Sequence, residues 1–173
     1  MKIAILLLCH KNPKQINLFI EYMQHEAIDI FIHVDKKSGI IGKLAKKENV
    51  YLLPDKKRID VDWASFSQIK ATHNLIMFAR KRGNYDYYWL CSGQDFPLKS
   101  CEDIVDFLSK KNTNFINLFD SKHNNLGKNN NYDKRNSIYY FDFLMGREKW
   151  KSIARRIYVI ISGGYNYTFP WLR

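Results

Sequence analysis

The sequence lacks both of the glycine-rich signatures that cradle phosphates. No Gly-x-Gly-x-x-Gly follows the first apolar run, which argues against a dinucleotide fold of that kind, and no Gly-x-x-x-x-Gly-Lys-Ser/Thr loop occurs. Cysteine is scarce: Cys9, Cys91 and Cys101 make no metal-ligand spacing, and one must be unpaired if the others bridge. Two of them lie in apolar strand contexts, where a free thiol behaves as a small hydrophobe, so a reducing cytosol fits best. No stretch approaches the roughly 20 apolar residues of a membrane span. The amino-terminal run from Ile3 to Cys9 is followed by His-Lys-Asn-Pro rather than a small-residue cleavage site, which favours a buried strand over a signal peptide. There are no internal repeats. Acidic residues are outnumbered, 17 against 28 basic, and the net charge of +11 suggests a polyanion, an anionic membrane surface or a phosphorylated small molecule as partner. The lysines are scattered in small groups and no nucleic-acid motif is present, so nucleic acid is not expected as a partner.

What is there reads as one α/β domain. Ile3 to Leu8 forms a fully buried, central, parallel strand. Asn12 caps a helix with Pro13 at its first position, and Ile16, Phe19, Ile20 and Met23 make its apolar face. Ile28 to Val34 is a second strand. Ile40 to Glu48 reads as a short helix and Asn49 to Leu53 as a third strand closed by Pro54. After the basic loop KKRIDVDW, Ser65 caps a helix running to about Arg82, with Phe66, Ile69, His73, Ile76 and Met77 on its buried side and Gly83-Asn84 as its stop. Tyr87 to Cys91 is a buried strand, followed by a helix from Glu102 to Lys110 capped at Ser100, with Ile104, Phe107 and Leu108 inward. Phe115 to Phe119 reads as a fifth strand. The alternation predicts a mostly parallel sheet with helices on both faces. Residues 121–136 form a polar loop, and the basic, aromatic stretch 138–173 shows only weak periodicity.

Three polar clusters follow three of the strands: Cys9-His10-Lys11, His33 to Ser38, and Ser92-Gly93-Gln94-Asp95. In a doubly wound sheet all three lie on one edge and can face a common ligand. Asp35 is placed to take ribose hydroxyls. Asp95 can hold a sugar hydroxyl or a cation, or simply close a turn with its own backbone. Gly93 allows a sharp turn or a close backbone approach. His33 reads as structural, His10 as either structural or ligand-facing, and Trp63 as a stacking platform or a core anchor.

HVDKKS, WASFSQIKA and SGQDFPLKS, in this order and spacing, closely resemble the core-2/I-branching β-1,6-N-acetylglucosaminyltransferases and the related peptide xylosyltransferases, over residues 3 to about 119 with a looser echo at 133–141. The resemblance implies a GT-A-like fold of the nucleotide-diphospho-sugar transferase type, with residues 1–120 as the nucleotide-sugar-binding part. Residues 121–173 would be a polar loop and the start of the acceptor-side region of the same domain. It implies an inverting glycosyltransferase that moves N-acetylglucosamine or xylose from a UDP-sugar to a glycan or lipid-linked acceptor. In that arrangement Asp35 contacts the uridine, Trp63 stacks on or flanks it, Leu8, Cys9 and His10 form the pocket floor, and Gly93 and Asp95 complete the donor side. Asp133 and Arg135 fall on the acceptor side. SGQDFP stands where other GT-A enzymes carry a metal-binding Asp-x-Asp, and Gln94-Asp95 is not that motif, so neither metal nor cofactor is expected. The family's catalytic Glu lies well after a Gly-Ser-x-Trp/Tyr-Phe stretch. Gly163 to Tyr167 resembles the beginning of that stretch, and the sequence then ends at Arg173. The expectation is a truncated chain that keeps the donor half, with no assignable base: Asp142 and Glu148 are available carboxylates that the resemblance does not support. A cytoplasmic location with peripheral contact at the inner face of the membrane suits the basic surface, Trp150 and Trp171. The alternative is a non-catalytic basic module for anionic membrane or nucleic acid.

Overall fold

The computed structural model describes residues 1–62, 65–116, 141–146 and 148–161, the side chain of Asp142 excepted. They belong to two compact units, Met1–Asp62 with Phe66–Asn112, and Trp63–Ser65 with Thr113–Arg173.

The first unit is built on four parallel strands: β1 (Ile3–Cys9), β2 (Ile28–Val34), β3 (Val50–Leu52) and β4 (Tyr87–Ser92), in the order β3-β2-β1-β4. β1 is central, as its unbroken apolar run implies. It pairs along its length with β2, Ile3 opposite Ile28 and Cys9 opposite Val34, and with β4 from Tyr87 to Ser92. Alternate residues of β1 serve opposite faces of the sheet. Ile3, Ile5, Leu7 and Cys9, with the even-numbered residues of β2, pack beneath α1 (Pro13–Tyr22) and α3 (Cys101–Ser109). Ala4, Leu6 and Phe31 meet α2 (Phe66–Arg82) through Leu75 and Ala79. Helices on both faces are what the alternation of elements predicts, and the layered α/β architecture is of the GT-A-like kind.

Several local readings require correction. Asn12 makes no side-chain cap; it takes a left-handed conformation at φ 56°, which Asn tolerates, and its carbonyl accepts from the Ile16 N–H. The expected helix over 40–48 shrinks to one 3₁₀ turn, Ile41–Lys43. The reason is Asn17, whose amide donates to the Lys43 carbonyl and accepts from the Ala45 N–H at 2.9 and 2.8 Å, drawing the chain down extended at Leu44.

α2 presents a different face from the one its bulky residues suggest. Ala71, Leu75 and Ala79 are buried, while Phe66, Ile69, His73 and Met77 are exposed and Ile76 is half-buried. The sheet side is already filled by Phe31, whose ring meets Tyr51, Phe78 and Tyr85 at 5.1–5.8 Å. Close approach of a helix to that surface selects small side chains. β4, read as wholly buried, alternates: Cys91 is buried while Tyr88 and Leu90, on the α2 side, are 39% and 52% exposed. α2 packs over β1 and β2, which accounts for the difference. In α3, Ser100 accepts from the Asp103 N–H at 3.1 Å as expected, and Ile104 and Leu108 pack inward, but Phe107 is half exposed. Phe115 and Ile116 are exposed and not in a strand; the rest of the expected fifth strand, and the loop 121–136, lie outside the described residues.

In the second unit a 3₁₀ turn, Asp142–Leu144, packs against a helix that weak periodicity concealed, α4 (Lys149–Ile161). Arg155 donates to the carbonyls of Leu144 and Gly146, and the Phe141 and Tyr158 rings meet edge to face. Gly146 has a φ of +121°, a conformation that side-chain-bearing residues rarely adopt.

The α2 face has a direct test. Ile69→Ala is expected to change stability by no more than about 0.5 kcal/mol. Ala71→Leu, forced against the sheet, is expected to cost roughly 1–3 kcal/mol. Urea melts of the two variants measure this, and a larger loss at Ile69 would show that the helix buries its bulky face.

Candidate functional site

The three polar clusters meet at the carboxyl edge of the sheet, as the order of strands in the sequence implies. The backbone ties them together. Asp35 N–H donates to the Cys9 carbonyl at 2.8 Å, Ser38 Oγ donates to the His10 carbonyl at 2.7 Å, and Gly93 N–H donates to the Leu8 carbonyl at 2.7 Å. The turn after β1 is therefore held from both neighbouring strands. Gly93 is required by close approach: a Cβ there would lie 2.7 Å from Cys9 Cβ and 3.3 Å from Cys9 Cα. Leu8 is half-buried, Cys9 buried, and His10 and Lys11 exposed at the rim.

Asp35 is half-buried, and one of its carboxylate oxygens, Oδ1, accepts from the Lys37 N–H at 2.9 Å, closing an Asx-turn. Its second oxygen has no hydrogen-bond partner among the described residues. Asp95 is exposed and does what the blander reading proposes. It accepts from the Ser92 N–H through Oδ2 at 2.8 Å, while its own N–H donates to the Ser92 carbonyl at 2.9 Å. Both carboxylates thus spend one oxygen on the local turn.

Residues 56–63 read from sequence as a basic loop, a description that misses their architectural part. Arg58, whose side chain is 7% exposed, donates through Nε to the Val34 carbonyl, through Nη2 to the Asp35 carbonyl and through Nη1 to Asp55 Oδ1, at 2.8–2.9 Å. Next to it the Ile59 N–H donates to His33 Nε2 at 2.9 Å and the Ile59 carbonyl accepts from the Lys36 N–H at 3.1 Å. Lys37 Nζ then lies between Asp60 and Asp62, 2.7 and 3.1 Å away, and donates to the Val61 carbonyl. Residues 58–62 are thereby strapped along the end of β2. An Asp-x-Asp spacing does occur here, at Asp60-Val61-Asp62, but the Lys37 ammonium is bound to both carboxylates, and the hydrogen bond to Asp60, with that to Asp62 beside it, holds it protonated well above the ordinary lysine value. The alternation of Arg58, Asp60 and Asp62 with Ile59 and Val61 was the available signal for an extended, side-specific segment.

Neither thiol at this edge is a nucleophile. Burial pushes Cys9 and Cys91 up to about 12, so both stay protonated. Cys101 is likewise buried, its Sγ donating to the Tyr22 carbonyl, and all three cysteines are free. His33 is buried and lowered from its ordinary value by desolvation. As a neutral ring accepting from Ile59 it has the structural role expected of it. Among the described residues no group of three or more His, Cys, Asp or Glu side chains is placed to hold a metal ion. Trp63, Asp133 and Arg135 lie outside the described residues. Of the remaining carboxylates, Glu148 pairs with Lys151 at 3.2 Å, and Asp142 lies in the 3₁₀ turn of the second unit.

A parallel sheet whose carboxyl edge gathers acidic and basic turns defines an α/β protein of the class that binds ligands at strand ends. The chain belongs to the Core-2/I-branching enzyme family, whose profile matches residues 3–150. This is a family of glycosyltransferases, which act on a nucleotide-sugar donor and a glycan acceptor. No curated protein matches the chain.

Two outcomes follow from this geometry. Gly93→Ala is expected to lower stability by about 1–3 kcal/mol, whereas Gly39→Ala, with nothing within 4 Å of its added Cβ, is expected to be neutral; thermal melts of both variants separate them. For His33, the folded state favours the neutral ring, so the unfolded chain takes up its proton first as pH falls. Its contribution to stability is complete above the ordinary value of 6.5 and is lost progressively below it. Urea midpoints are expected to fall between about pH 7.5 and about pH 5.5, and to fall less in His33→Gln.

Proposed function

We propose that this chain binds a UDP-sugar at the carboxyl edge of its sheet and serves an inverting transfer, of N-acetylglucosamine or xylose, to a glycan or lipid-linked acceptor. The observation that carries this reading is Asp35. Its main chain is anchored by Arg58 and Cys9, one carboxylate oxygen closes its own turn, and the other is left to accept from paired ribose hydroxyls or the uracil imide. Leu8, Cys9 and His10 would floor the pocket, with Gly93 admitting close packing of the neighbouring turn and Asp95 offering its second oxygen at the far side. Trp63 follows the strap directly in sequence and would flank the base.

In the reaction, an acceptor hydroxyl loses its proton to a carboxylate as its oxygen attacks the anomeric carbon. The bond from that carbon to the β-phosphate oxygen breaks on the opposite face, and UDP leaves with the electron pair. Cations must then neutralise the leaving diphosphate. Lys37 and Arg58 are committed to the strap; among the described residues, His10, Lys11 and Lys36 are exposed basic side chains in the turns at this edge. No base is assigned. The reaction is read as metal-independent, and a cytoplasmic site beside the membrane suits a lipid-linked acceptor.

Isothermal titration of UDP into the wild type and Asp35→Ala, each with and without EDTA, tests the reading. Weak binding is expected in the wild type, unchanged by EDTA, and roughly 10-fold or more weaker in Asp35→Ala, the worth of a hydrogen bond to a charged group. Absence of binding at millimolar UDP, or equal binding by the variant, would overturn it.

A further inference from the structure

We infer that α4 is an interfacial helix that lies on an anionic lipid surface. Trp150, Ile153, Ile157, Ile160 and Ile161 recur at helical spacing and form one stripe, and each is more than half exposed. A stripe of that size left in water is costly unless something covers it. The rest of the helix selects what covers it. Lys149–Ile161 contains no Asp or Glu and carries four cations, Lys149, Lys151, Arg155 and Arg156. They divide by position. Lys151 pairs with Glu148, and Arg155 is bound to the carbonyls of Leu144 and Gly146 on the inner side. Lys149 and Arg156 are exposed and lie together along one border of the apolar stripe.

A helix with its apolar residues gathered on one side, a tryptophan at one end and lysine and arginine at the border is suited to lie in the plane of a bilayer. Its 13 residues span about 20 Å, enough to seat along the headgroup boundary. Among the described residues no helix is long and apolar enough to cross a membrane, so α4 would rest on the surface rather than pass through it. A protein partner accounts for the stripe but not for the exposed cations that border it on a helix without Asp or Glu. Nucleic acid accounts for the cations but not for five exposed apolar side chains. An anionic bilayer accounts for both. The inference stands on α4 alone and holds whether or not the sheet edge binds a nucleotide.

Co-sedimentation of the full chain with vesicles of phosphatidylglycerol and phosphatidylcholine, against phosphatidylcholine alone, tests it. The wild type is expected to bind the anionic vesicles preferentially and to be released by salt. Ile157→Glu, at an exposed position, is expected to abolish binding with the far-ultraviolet circular dichroism unchanged. Lys149→Gln with Arg156→Gln is expected to weaken binding by roughly 30-fold at low salt, each cation near the surface being worth about fivefold. Failure to bind anionic vesicles, equal binding to phosphatidylcholine alone, or undiminished binding by Ile157→Glu would overturn the inference. So would sedimentation velocity showing a wild-type dimer that Ile157→Glu dissociates while lipid binding is absent, since the stripe would then be an interface between copies.

Discussion

A parallel strand that ends at a binding edge leaves its last carbonyls without sheet partners, and the Arg58 guanidinium supplies them at the end of β2. Its planar fork reaches the carbonyls of Val34 and Asp35 at once, and Asp55 completes the set. A lysine in the same place would offer no such fixed geometry. The buried carbonyl of Val34 would be costly to leave unpaired, so the strap that carries Arg58 is bound to the sheet and brings Ile59 onto His33. The role proposed for Asp35 depends on this, because its carboxylate could be presented to a ligand only if its backbone is held.

Basic side chains of the described residues therefore stand in different settings. Arg58, Lys37, Lys151 and Arg155 are tied to carbonyls or carboxylates and hold turns in place. His10, Lys11 and Lys36 stand at the sheet edge, and Lys149 and Arg156 beside the apolar stripe of α4, where an anion would be met. Net charge alone does not distinguish these, since it counts a buried guanidinium and a solvated one equally. The same holds for the nucleophiles: Cys9 lies at the heart of the edge, yet burial keeps its thiol protonated, and His33 is spent as an acceptor.

Aromatic content is similarly divided. Phe31, Tyr51, Phe78 and Tyr85 form one contiguous cluster between the sheet and α2, with the Tyr85 hydroxyl donating to Asp29 at 2.6 Å, away from the carboxyl edge. These rings, which composition alone would offer for sugar binding, belong to the core. Trp150 is different because it is exposed on a helix with no acidic side chain.

Local pattern was enough to place the four strands of the sheet, α1, α3 and the three polar clusters, because a continuous apolar run of strand length bounded by polar turns has few other uses in a chain of this size; the fifth run, from Phe115, begins outside any strand. Motif order likewise identified the family. The same pattern misjudged α2, since bulky apolar residues outnumber its alanines but the face that packs on the sheet is the one carrying Ala71, Leu75 and Ala79. It also passed over what Arg58 and Lys37 bind, since the Val34 and Asp35 carbonyls and the Val61 carbonyl lie more than 20 positions from them in the chain. Gly93 was legible as a special position, but its cause, the Cβ of Cys9, was not. Sequence by itself determined the order of elements and which edge gathers the polar turns, because these follow from local periodicity and the polarity of a parallel sheet. Tertiary structure decided which charges are spent on the fold and which remain for a ligand, because that depends on contacts between residues the chain brings together only on folding.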